Sequence, residues 1–150
     1  MSSIQNHENI VKGWIKRGDG ETDHFFKFIS YWVAFNCWLT TKTNEDRDRS
    51  ALNKLYKDSG LCSSFPSIVD DGNNKKLFDE FVSVCPIENN RKRTKRHVND
   101  YKNFAEVMNV LYEIRCNLFH GSKIDNNERD DQVMRAAVPV LELIVKNICL

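Results

Sequence analysis

Three prolines and six glycines in 150 residues leave most of this chain without a backbone breaker, and its apolar residues return every three or four positions rather than alternating. That spacing belongs to amphipathic helices and argues against half-buried strands. The expectation is an all-α protein, an antiparallel bundle of about five or six helices. A chain of this length makes one domain of ordinary size, able to bury roughly 70% of the surface its unfolded form exposes. Residues 1–150 are therefore read as a single helical domain.

Ile4, Ile10, Val11, Trp14 and Ile15 sketch a first helix ended by Gly18-Asp19-Gly20, after which Asp23 is a plausible N-cap. From residue 23 to about 41 the run holds Phe25, Phe26, Phe28, Ile29, Tyr31, Trp32, Val33, Phe35, Trp38 and Leu39. Apolar groups almost all round the cylinder mark a central helix. Residues 47–57 read as a shorter helix with Ala51, Leu52, Leu55 and Tyr56 on one face, and Leu77, Phe78, Phe81 and Val82 mark another, with a loop between them over 60–74.

Residues 86–100 form a polar internal loop around Arg91, Lys92, Arg93, Thr94, Lys95, Arg96 and His97. Neither flank is long enough to stand alone, so this is a loop within a domain. Asn99 or Asp100 is expected to cap a helix carrying Phe104, Val107, Met108, Leu111, Ile114 and Leu118, ending at His120-Gly121. A polar turn through Asp125 leads to a last helix opened by Asp130 and carrying Val133, Ala136, Ala137, Val140, Leu141, Ile144, Val145 and Ile148.

Lys and Arg total 22 against 21 Asp and Glu, so no whole-chain field attracts nucleic acid or anionic lipid, and any basic site must be local. The five cysteines are odd in number and widely spaced, without a CxxC or CxxH pair, which suits a reducing cytoplasm better than a disulfide framework or a zinc site. The N-terminus lacks the basic start and apolar run of a signal peptide. The longest apolar stretch, near Tyr31 to Leu39, is too short and interrupted to span a bilayer, so no membrane partner is expected.

Arg115 and His120 stand five residues apart at the end of the long helix, before a glycine that can terminate it. Five steps turn about 140°, so in an unbroken helix the two side chains diverge. They meet if the last turn loosens, or if a second subunit brings its own pair alongside. Imidazole titrates near neutral pH, and a helix C-terminus favours a cation, so His120 suits general acid/base work. The planar fork of Arg115 suits phosphate. No HExxH motif offers a metal or other cofactor a seat, and none is expected.

The run Ile114-Arg115-Cys116-Asn117-Leu118-Phe119-His120-Gly121-Ser122-Lys123 resembles the RxxxxH signature of HEPN domains in its Asn-Leu-Phe-His-Gly form, and residues 28–39 are similar to the aromatic second helix of the same family. The resemblance implies an antiparallel bundle, usually dimeric, whose arginines and histidines line a cleft and often cleave RNA without metal; many relatives are toxins or defence ribonucleases. In many members the residue after the arginine is polar, commonly Asn, whereas here it is Cys116 and the amide follows at Asn117.

The functional expectation is a homodimeric, metal-independent endoribonuclease acting on single-stranded RNA in the cytoplasm, with an antitoxin or other protein as a further partner. His120 is its acid/base and Arg115 its phosphate ligand, with Asn117 positioning the phosphate and Lys123 adding positive charge. Arg91, Lys92, Arg93, Lys95 and Arg96 either track the RNA backbone or form a solvated loop. The alternative is a non-catalytic RNA- or nucleotide-binding or protein-interaction module on the same fold. The aromatics of residues 25–38 read as core rather than base-stacking platforms. Asn36 among them either faces the Arg115 cleft or, the preferred reading, bridges helices. His7, His24 and His97 show no ligand spacing and read as exposed, and a Cys116–His120 nucleophile lacks a visible third group.

Overall fold

The computed structural model describes residues 3–89, 91–119 and 128–150. The protein is all-α. Among the described residues there are seven helices: α1 Ser3–Gly20, α2 His24–Thr43, α3 Asp48–Leu55, α4 Ser59–Asp70, α5 Asn74–Ser83, α6 Phe104–Phe119 and α7 Glu128–Ile148. A two-stranded antiparallel sheet, β1 Ile87–Glu88 with β2 Lys95–Arg96, sits in the basic loop and pairs Ile87 with Arg96 and Glu88 with Lys95. The chain divides into two compact units, Met1–Ser59 with Leu141–Leu150, and Gly60–Val140.

In the first unit, α1 and α2 form an antiparallel pair: Lys27 Nζ donates to Gly18 O at 2.8 Å near one end, and Cys37 Sγ approaches His7 O at 4.0 Å near the other. Asp23 caps α2 as its sequence implies, its carboxylate accepting from Phe25 N and Phe26 N. At the other end Asn44 takes the left-handed conformation at φ 55°, which an amide side chain tolerates better than most. Phe28, Tyr31, Trp32, Ala34, Phe35 and Leu39 are buried, so the aromatics are core. Asn36 Nδ2 donates to Asp48 Oδ1 at 2.7 Å and bridges α2 to α3. His97 is exposed, whereas His7 and His24 are half-buried.

α1 ends at Gly20, within the Gly18-Asp19-Gly20 run expected to terminate it. A Cβ at Gly18 would lie 2.6 Å from Tyr31 Cε1, so the glycine is what lets the two helices close on each other here.

The second unit shows why seven helices replace the expected five or six. Residues 60–74 were expected to form a loop, yet α4 occupies most of that segment despite Gly60 and Pro66. The Phe65 ring packs edge-on against Phe78 of α5 at 5.9 Å and against Phe104 of α6 at 5.2 Å. Burying Phe65 and Val69 outweighs the weak propensity and the missing Pro66 donor, a tertiary override of local preference. The cap of α6 also moves: Asn103, not Asn99 or Asp100, accepts from Glu106 N, while the Asp100 carboxylate turns back to Lys102 N.

Candidate functional site

Helix α6 is buried on nearly every side. Phe104, Val107, Met108, Val110, Leu111, Ile114, Cys116 and Leu118 all lie in the core. Ala105, Asn109, Tyr112 and Arg115 are half-buried and, at spacings of four, three and three, share one side of the cylinder. Two polar residues lie inside the apolar helix: Glu113 is 4% exposed and Asn117 3%. They are one turn apart and share a face. A carboxylate and an amide buried that deeply require partners.

The basic hairpin supplies them. Asn117 Nδ2 donates to Glu88 O at 2.8 Å. Asn89 Nδ2 donates to Glu113 Oε2 at 3.2 Å, and Arg96 Nε faces Glu113 Oε1 at 3.8 Å, an ion pair too long to be a hydrogen bond. Asn89 also builds the turn: its backbone N–H donates to Thr94 O, its carbonyl accepts from Arg93 N, and its side-chain oxygen accepts from Arg91 N and Lys92 N. Arg93 is held at φ 57°. One asparagine therefore closes the hairpin and fastens it to α6.

The outcome for the basic run is a division of labour. Arg91, Lys92, Arg93 and Lys95 are exposed, while Arg96 turns its Nε, shielded from solvent, towards Glu113. The structure thus brings Asn117 and the basic segment together. Arg115 is not on that face: two steps along an α-helix turn about 200°, so it leaves α6 on nearly the opposite side from both Glu113 and Asn117. His120 and Lys123 lie outside the described residues.

Glu113 and Asn89 were not singled out in the sequence. The signal for Glu113 was present, as a lone acid between Leu111 and Ile114 in an otherwise apolar stripe. Asn89 carried none, because its role depends on what it meets across the turn.

A second polar assembly lies in the first unit. Tyr31 Oη sits 2.6 Å from Asp19 Oδ1 and 3.1 Å from Glu142 Oε1, and Lys146 Nζ reaches Asp19 at 2.8 Å and Glu142 at 3.2 Å. Burial pushes the Asp19 carboxyl up, but hydrogen bonds from Lys146 and Tyr31 and the charges of Lys146 and Lys27 leave it below its ordinary value. Hydrogen bonding to Asp19 raises the Lys146 ammonium despite some burial. Burial and then the Asp19 hydrogen bond raise the Tyr31 phenol, keeping it protonated.

All five cysteines are free thiols. Burial pushes Cys85 up to about 11, against the opposing charge of Arg129, and raises Cys37 and Cys149 as well, which makes these three poor nucleophiles. Cys116 is buried. Among the described residues no group of three or more His, Cys, Asp and Glu side chains is placed to hold a metal ion, and no helix is long and apolar enough to cross a membrane. Compared with known proteins, the chain matches no family model, and no curated protein or solved structure is significantly similar to it.

Proposed function

We propose that this chain is a metal-independent endoribonuclease that cuts single-stranded RNA by attack of the ribose 2′-hydroxyl. The observation that carries the reading is that an exposed cationic hairpin is pinned to the very helix that runs into Arg115-Cys116-Asn117-Leu118-Phe119-His120. A protein with a net charge of only +1 has gathered four exposed cations in five positions of one hairpin.

In the proposed reaction the 2′-oxygen attacks phosphorus as its proton is taken up, and the bond to the 5′-oxygen breaks as that oxygen receives a proton. The products are a 2′,3′-cyclic phosphate and a 5′-hydroxyl. His120 is the acid/base, Arg115 stabilises the charge on the phosphorane, and Lys123 adds local positive charge. A homodimer brings two such pairs together, and toxin or defence work in the cytoplasm, restrained by an antitoxin, is the setting in which this chemistry fits. Asn117 acts through the hairpin, since its amide nitrogen is held by Glu88 O.

That last contact favours one rival, a non-catalytic module that binds RNA, a nucleotide or a protein. The separating experiment incubates end-labelled single-stranded RNA in excess EDTA with wild type, His120→Ala and Arg115→Ala. Cutting by wild type alone, leaving cyclic phosphate ends, is the expected result. Retained RNA binding with no cutting by any of the three establishes the rival. Strict Mg²⁺ dependence or 3′-hydroxyl ends overturn the mechanism.

A further inference from the structure

Arg115 and the hairpin are attached to α6 on nearly opposite sides, and this bears on what the hairpin does. Side chains that leave the helix on opposite sides suit two different phosphates of one strand better than a single one. We infer that the hairpin is an exosite for the sugar-phosphate backbone of single-stranded RNA, engaging the strand away from the bond that is cut, with Glu113 and Asn89 as positioning residues. The inference rests on the ribonuclease reading above and deepens it.

Three observations carry the assignment. Arg91, Lys92, Arg93 and Lys95 are exposed beside Asn89, whose backbone and side chain hydrogen-bond Arg91, Lys92, Arg93 and Thr94, so the cations stand on a hydrogen-bonded frame. Preorganisation of that kind lowers the ordering cost of binding. Residues 89–97 contain no Phe, Tyr or Trp, and His97 is their one aromatic ring, so the segment offers far more charge than stacking surface. Charge that dominates over stacking reads phosphates more than bases and predicts strong salt dependence with little sequence preference. Finally, Arg96, part-exposed overall, aims its shielded Nε at the Glu113 carboxylate, which sets it apart from the four exposed cations and makes it part of the mounting.

Binding is measured by fluorescence anisotropy with labelled 6-mer and 20-mer RNA in EDTA, on a His120→Ala background so that the strand stays whole. The parent is expected to hold the 20-mer more tightly than the 6-mer. Replacing Arg91, Lys92, Arg93 and Lys95 together by Gln should weaken the 20-mer at least tenfold, weaken the 6-mer far less, and flatten the slope of log affinity against log salt by about 3, given roughly 0.7 per phosphate contact on a single strand. Glu113→Gln, with an unchanged circular dichroism spectrum, should weaken the 20-mer several-fold. In the His120 enzyme it should raise KM for long RNA rather than lower kcat.

If the fourfold variant binds the 20-mer with the parent's affinity and salt slope, or if polyglutamate displaces the hairpin's ligand more readily than RNA does, the exosite falls while His120-dependent cleavage can still stand. If the parent neither binds nor cuts either RNA, the ribonuclease reading fails and takes this inference with it.

Discussion

The two units each place a polar assembly against their most buried helix, and they use it in opposite ways. Beside α2, Asp19, Tyr31, Glu142 and Lys146 satisfy one another, so the charges stay within the assembly. Beside α6, Glu113 and Asn117 hold the inner side of a hairpin whose outer side carries four exposed cations. The first arrangement ties helix ends together. In the second, buried polar groups position charges that point away from the protein. A polar contact made inside a fold is informative about function when its partner segment still presents unlike chemistry to solvent.

The contrast is open to direct attack. Glu113→Ala should be the most damaging change, costing about 2–3 kcal/mol in urea unfolding, because it leaves the Asn89 amide and the shielded Arg96 Nε facing an apolar helix. Asn117→Ala, which orphans Glu88 O, is expected to cost about 1–2 kcal/mol. Hydrogen exchange at the Asn89 and Arg93 amides should accelerate in both variants; unchanged protection there would mean that the clasp does not hold the hairpin.

Gly18→Ala tests the other assembly. A Cβ there collides with the buried Tyr31 ring, and after the gain of roughly 1 kcal/mol that alanine brings to a helix interior the net loss should be about 1 kcal/mol. A gain in stability would show that the ring yields freely. Lys146→Ala should be smallest, under about 1 kcal/mol, because both ion pairs are part-exposed.

Its pH dependence is more telling than its size. The Asp19 carboxyl is lowered from 3.8, so its contribution is complete above that pH and disappears as pH falls through the lowered value. Lys146 is raised from 10.5, so its contribution is complete below that pH and disappears as pH rises through the raised value. Unfolding free energy measured from pH 2 to 12 should therefore lose part of its acid slope in Asp19→Asn and part of its alkaline slope in Lys146→Ala. Parallel curves for wild type and both variants would contradict these assignments.

Much of this was legible in the sequence. The all-α class, the Asp23 cap and the aromatic core of α2 follow from periodicity and from side-chain chemistry, which act over a few residues. The motif ending in His120 was legible as a pattern, and the basic run as a charge cluster. What failed to show was α4, where three aromatics from different helices overrule Ser59, Gly60 and Pro66. The end of α1 at Gly18-Asp19-Gly20 was legible, but not that Gly18 also makes room for the Tyr31 ring.

The sequence by itself determined that this chain is helical, where its long helices run, and that its cations concentrate at residues 91–96, because each of these depends on neighbours along the backbone. Only the tertiary structure decided that Arg96 aims its Nε at Glu113 while Arg91, Lys92, Arg93 and Lys95 stay exposed, and that the hairpin is fastened to the side of α6 away from Arg115. Those outcomes depend on Glu113 and Asn117 meeting Asn89 and Glu88 from more than twenty residues away. A buried polar group must find its partner wherever the fold brings one, and local sequence carries no record of where that is.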